Sequence, residues 1–183
     1  MPIPDVLIRN GVVEDAVEAS RLHAETWRTS YRGLVPDALL DQLAPTRWED
    51  GWRRGFDSMD PTRAVRVAEI GGRIVGFVSA GSARSGGPPG YRGEVYALYV
   101  HPTRHGQGIG RALLKAAAGA LAERGLLPIV IWTLFDNPHS RAFYEGRGGV
   151  VIAEKRAPFD GFVLHEVAYG WTDASVLLVE KPD

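Results

Sequence analysis

The stretch from Glu94 to Leu114 limits the possible folds of this chain more than any other. It reads Glu-Val-Tyr-Ala-Leu-Tyr-Val-His-Pro-Thr-Arg-His-Gly-Gln-Gly-Ile-Gly-Arg-Ala-Leu-Leu. A β-prone apolar run from Val95 to Val100 meets Pro102, and glycines follow at the alternate positions 106, 108 and 110. Helical spacing then begins, with Leu114, Ala117, Ala118 and Leu121 on one stripe. Glycines crowd a strand-to-helix turn where something must approach the backbone closely. The first turn of a helix offers unpaired N–H groups and the positive end of its dipole, so the visitor expected is an anion such as a pyrophosphate.

Two familiar glycine loops do not fit. The mononucleotide loop ends in Gly-Lys-Ser/Thr, whereas Gly110 is followed by Arg111 and Ala112. The dinucleotide fingerprint requires a third glycine where Arg111 stands, and a long side chain there obstructs close helix–strand packing. The pattern is instead Gly-x-Gly-x-Gly with a basic residue ahead of it.

Around this unit the chain alternates strand and helix signals. A short strand is expected over Val6–Arg9, a helix over Asp15–Thr29, and helical segments over Asp37–Leu43 and from an N-cap at Thr46 to Arg54. Strands over Val65–Glu69 and Ile74–Ala80 flank Gly71-Gly72, a hairpin signal. Gly81 to Gly93 holds five glycines and two prolines and reads as a mobile loop. The near-continuous apolar run Pro128–Leu134 suits a buried strand beside a parallel neighbour. A helix begins at Asn137-Pro138-His139-Ser140, and Val150–Glu154 and Phe162–Tyr169 are closing strands. Val176-Leu177-Leu178-Val179 is a candidate edge strand. The strand–helix–strand unit makes its two strands parallel within an otherwise antiparallel arrangement. The fold class expected is therefore α+β, one domain over residues 1–183, with a mixed sheet covered by helices.

With Leu98-Tyr99-Val100 before it and Leu113-Leu114 after it, His105-Gly106-Gln107-Gly108-Ile109-Gly110 resembles the acyl-CoA-binding motif of the GNAT superfamily of N-acetyltransferases. His105 stands at the usual Arg/Gln position, with Arg104 and Arg111 close by. Asn137-Pro138-His139-Ser140-Arg141-Ala142-Phe143-Tyr144 and the glycines from Gly146 resemble the family's second motif, and they follow in the expected order. The resemblance implies a GNAT fold whose two parallel central strands splay apart. It implies acetyl-CoA as co-substrate. The diphosphate would rest on His105, Gly106, Gln107, Gly108, Ile109, Gly110 and Arg111, and the pantetheine arm against Leu98, Tyr99 and Val100. It also implies a cofactor contact from Asn137 and proton donation to the departing sulfur by Tyr144. The same Asn137 is suited to an N-cap before Pro138, and both readings stand.

The chemistry implied is attack of an amine on a thioester. An alkyl amine of pKa about 10 is protonated at neutral pH and must lose a proton, while a thiolate of pKa about 8.5 gains from receiving one. The resemblance implies a carboxylate base at the start of the strand that carries the acyl group, which makes Glu94 the candidate, with His165 and Tyr96 as rivals. The stretch Trp27–Pro36 resembles an N-terminal segment of some small bacterial GNAT proteins, which implies that Trp27 and Tyr31 line the acceptor cleft and bind the amine through aromatic contacts. A small-molecule amine is the expected acceptor. A protein N-terminus or lysine is the alternative within enzymes, and a non-catalytic acyl-CoA-binding module the alternative outside them.

The composition narrows the remaining classes. With 21 basic and 22 acidic residues the net charge is −1, which offers no general attraction to nucleic acid or membrane. No apolar run reaches the roughly 20 residues of a bilayer span. No cysteine is present, so disulfides, thiolate metal sites and a cysteine-borne acyl group are excluded. His101 and His105 lie across a proline and a glycine loop, which makes them poor metal partners, and no metal is expected. A cytoplasmic protein is expected. The resemblance and the candidate C-terminal edge strand together imply a homodimer.

Overall fold

The computed structural model describes residues 5–179. Seven strands form one sheet in the order β1-β2-β3-β4-β5-β7-β6. They are β1 (Leu7–Asn10), β2 (Ala64–Ile70), β3 (Arg73–Ser82), β4 (Gly93–Val100), β5 (Ile129–Leu134), β6 (Val150–Phe159) and β7 (Phe162–Trp171). The helices are α1 (Ala16–Ser30), α2 (Asp37–Asp41), α3 (Glu49–Phe56), α4 (Ile109–Glu123), α5 (Pro138–Glu145) and α6 (Ser175–Leu178). Among the strands described, β4 and β5 alone pair in parallel; the other pairs are antiparallel. The expected mixed sheet, mostly antiparallel with a parallel central pair, is what the chain forms. Among the described residues no helix is long and apolar enough to cross a membrane.

Strand periodicity sends alternate residues to two different cores. Val78, Ala80, Val95, Ile129, Ile131 and Val167 pack under Leu113, Leu114, Ala117 and Leu121 of α4. On the opposite face Val67, Ile74 and Phe77 meet Ala19 and Leu22 of α1 and Trp52 of α3. Farther along that face Trp27, Tyr31, Leu39 and Leu40 cover Leu134 and Leu164. Helices thus lie on both faces, and β3, served by both cores, is buried along almost its whole length.

Three local expectations change. The start of α3 falls at Glu49, not Thr46, because the Trp48 amide donates to Ser20 Oγ (3.2 Å) and its ring stacks on His23 (3.9 Å between centroids). Residues 175–178 form a helical turn instead of an edge strand. Asp173 Oδ1 accepts from the Ser175 amide (2.9 Å), and Leu177 drops into the α4 core. β6 runs on to Phe159 through Pro158, which an edge strand tolerates because one side of it carries no ladder.

The β3–β4 connection is also tied down. Glu94 accepts from the Arg84 amide and Nε (2.9 Å each). The Arg92 amide donates to Pro128 O (3.0 Å), and Tyr91 lies so close over Gly170 that a Cβ there would overlap the phenol ring.

Candidate active site

The two parallel strands share only three register pairs: Gly93–Ile129, Glu94–Val130 and Val95–Ile131. Beyond Val95 they part. The cause is visible on β4's other edge, where Ser79 faces Ala97 but Ala80 faces Val95, leaving Tyr96 as the extra residue of a bulge. A bulge bends its strand and adds twist, and β5 continues straight along β7. The His101 amide still donates to β3 at Val75 O (2.8 Å). By alternation the backbone groups of Leu98 and Val100 face the open side, where no partner strand pairs with them.

This gap opens into a cleft of about 1200 Å³. At one end it meets the glycine turn. Gly106 and Gly108 have φ of +73° and +76°, and Gly108 is the N-cap of α4. The Ala112 amide makes its bond to Gly108 O (3.0 Å), so the Ile109 and Gly110 amides precede the helical ladder. Gly110 differs from its neighbours, since a Cβ there would meet Phe143 at an ordinary 3.5 Å. Arg104, His105, Arg111, His139 and Arg147 line this same end. The His105 ring stacks on His139 (5.2 Å, 14°), and its Nε2 lies 2.9 Å from Val100 O.

Most residues picked out from the sequence converge here. Leu98, Tyr99, Val100, residues 105–111, Asn137, Tyr144 and Tyr31 all line the cleft. Asn137 caps α5 by accepting from the Ser140 amide (3.1 Å), and so meets the cleft in a fixed orientation. Tyr144 is buried at 6% exposure among Phe143, Tyr169 and Trp171. Burial pushes its phenol well above the ordinary tyrosine value. Its helix is pinned to β7 by Arg141 Nε donating to Tyr169 OH (3.0 Å) and Tyr169 OH donating to Glu145 (2.5 Å).

Two predicted residues do not line the cleft. Trp27 is packed on Phe159 (5.0 Å), and its indole N–H donates to Tyr99 OH (2.9 Å). It orients Tyr99, whose hydroxyl also lies 3.1 Å from Tyr31 OH. Burial holds both phenols up in their neutral form. Glu94, 1% exposed, sits where β4 and β5 are still paired and is bound to the Arg84 guanidinium and amide. Of its rivals, His165 stacks on Phe135 (4.3 Å) beside Glu154, away from the cleft. Tyr96 does line it, with its hydroxyl donating to Ser82 O (2.5 Å).

The sequence reading missed Thr26, Ser30, Trp132, Thr133, His139 and Arg147. Thr26 and Ser30 are one helical turn apart, and with Tyr31 they form the polar margin of the otherwise apolar face of α1. That interruption was the available signal.

Residues 22–148 match the acetyltransferase (GNAT) family. The chain is 35% identical to the N-acetyltransferase YuaI of Bacillus subtilis, itself uncharacterised, over 94% of this chain and 96% of that protein. It is 31% identical to the mycothiol acetyltransferase of Amycolatopsis mediterranei over 79% of this chain, spanning only 48% of that longer protein. Among solved structures, PaiA N-acetyltransferase of Thermoplasma acidophilum, in complex with coenzyme A, aligns with a TM-score of 0.68 at 17% identity. It covers 91% of this chain and 99% of that one. YncA of Salmonella typhimurium, with acetyl-CoA, aligns with a TM-score of 0.65 at 24% identity, covering 92% and 94%.

Proposed function

Because the chain belongs to the GNAT acetyltransferase family, whose members take the acetyl group from acetyl-CoA, we propose that it acetylates the primary amine of a small molecule by direct attack within a ternary complex. The observation that carries this reading is the parting of β4 and β5 after Val95, in a cleft that runs from the glycine turn past Tyr144.

The residues present suit coenzyme A. The Ile109 and Gly110 amides and the helix dipole favour a diphosphate, aided by the cations around them. The open backbone edge at Leu98 and Val100 suits the amide groups of a pantetheine arm, which would add to β4 like a short strand. Bound there, acetyl-CoA would supply the acyl group: the amine nitrogen gains the C–N bond, the C–S bond breaks, and the proton the nitrogen sheds to solvent balances the one the departing sulfur takes up.

Tyr144 is the proton donor to the departing sulfur in this reading. Its raised phenol stays protonated at any working pH. Tyr99, held by Trp27 and Tyr31, borders the reacting region with a fixed, neutral hydroxyl.

The test is Tyr144→Phe, assayed by thiol release from acetyl-CoA against a panel of amines and peptides. The expected outcome is a fall in kcat of about 100-fold or more, the range of general acid catalysis, with acetyl-CoA affinity unchanged. An unaltered kcat removes Tyr144 from the mechanism. Thiol release with peptides but not with small amines points to a protein acceptor instead.

A further inference from the structure

The far end of the cleft from the glycine turn is chemically distinct. Its walls are hydroxyls and rings: Thr26, Ser30, Tyr31, Tyr96, Trp132 and Thr133. Thr26 stands out among them. It is 3% exposed, and its Oγ1 is buried with no hydrogen-bond partner. A buried hydroxyl left unpaired is a net cost to the fold. One that lines a cleft is therefore a contact waiting for a ligand.

The surrounding charges argue about what that ligand is. Two of the three aromatic rings at this end already hold cations of the protein, and the third, Tyr31, is packed edge-on with Trp27 (4.9 Å between centroids). Lys155 Nζ lies 3.9 Å from the centre of the Trp132 ring, and Arg63 and Arg84 lie over Tyr96 at 5.3 and 5.4 Å. The neighbouring carboxylates are committed as well. Glu94 is bound to Arg84, Glu166 lies 3.4 Å from Lys155, and Glu25 on α1 lies 3.2 Å from His101 Nε2. An incoming ammonium would meet two rings already filled by cations, a third packed on its neighbours, and neutral hydroxyls. A neutral amine would find Thr26 Oγ1 ready to accept an N–H and leave the nitrogen lone pair free.

Resting on the acetyltransferase reading above, we propose that the acceptor binds as the free base through Thr26 Oγ1, and that the substrate class is amines weakened by an adjacent electron-withdrawing group. An α-amino amide and a 2-amino sugar belong to this class, and a polyamine or lysine side chain does not. At pH 7 roughly one in ten molecules of an amine with pKa about 8 is neutral, against roughly one in 2500 for one with pKa about 10.4. The difference, about 200-fold, is the ceiling on the preference expected.

The experiment uses the whole enzyme, acetyl-CoA and a size-matched amine series of rising basicity: glycinamide, 2-methoxyethylamine and propylamine. At pH 7 kcat/KM is expected to fall tens-fold or more along the series. The acidic limb of each pH profile is expected to move with the amine's own pKa. A limb fixed at one pH for all three amines assigns proton removal to an enzyme group and overturns the proposal. So does glycinamide turnover no faster than that of propylamine. Thr26→Val keeps the side-chain shape and is expected to raise the amine KM about tenfold, with the acetyl-CoA KM unchanged and Thr26→Ser restoring the amine KM. An unchanged amine KM in Thr26→Val overturns the Thr26 contact. Acetyl-CoA binding, read by tryptophan fluorescence, separates the two levels: loss of binding there sinks the acetyltransferase reading itself.

Discussion

Glu94 and Tyr144 are both buried, and the fold uses them differently. Tyr144 meets the cleft, while Glu94 closes the β3–β4 connection through Arg84. Replacing Glu94 by Gln is accordingly expected to lower thermal stability, since a buried partner of Arg84 loses its charge. The acidic limb of the pH–rate profile should stay where it is; a limb that disappears would return Glu94 to the chemistry. The glycine turn gives a second contrast. Gly108→Ala forces a Cβ into φ of +76° and is expected to cost about 1–2 kcal/mol in denaturant unfolding. Gly110→Ala lies inside α4 with room beside Phe143, and is expected to be neutral or to gain up to about 1 kcal/mol. Equal losses at both positions would show that the turn is shaped by something other than backbone strain.

At the scale of elements, α1 does more than cover the sheet. It carries His23 into a box of Trp27, Trp48, Trp52, Phe77 and Tyr99. Burial holds this imidazole neutral by lowering its pKa to about 3 from the ordinary 6.5. The unfolded chain takes up a proton as pH drops through about 6.5, and the folded chain resists until about 3. Stability is therefore complete above about pH 6.5 and declines as pH falls toward 3, by a few kcal/mol in all. Melting temperatures from pH 8 to pH 4 should show the decline, and His23→Phe should flatten it. Elements also explain the errors of the sequence reading. The 175–178 segment has β-prone side chains, yet one Asp173 cap and one buried Leu177 turn it into a helix. The loop 83–92 has a flexible composition, yet Arg84, Tyr91 and Arg92 pin it to three different partners.

The molecule as a whole is a sheet with a permanent opening in its middle, between strands that are otherwise each paired on the side away from it. A ligand that fills the opening should stabilise everything around it. Acetyl-CoA at about 100 times its Kd contributes about 2.7 kcal/mol. For a chain of this size that raises Tm by roughly 5–10 °C. Hydrogen exchange should slow most at Leu98, Val100 and the 106–112 turn. No rise in Tm, or slowing confined to other segments, would count against the cleft as the binding site.

The amino-acid order by itself determined the order of elements, the parallel pair, the anion-binding turn and the family to which the chain belongs. Each of these depends on local signals: alternation, helical spacing, glycine at left-handed positions and a proline after an N-cap. The tertiary structure alone decided which side chains look into the cleft. A bulge at Tyr96 reset the alternation of β4, an arginine in the β3–β4 connection folded back on Glu94, and a turn of α1 aimed Thr26 inward while Trp27, one residue on, was buried behind Tyr99. Those outcomes depend on which segments pack together, and spacing along the chain carries no record of distance across it.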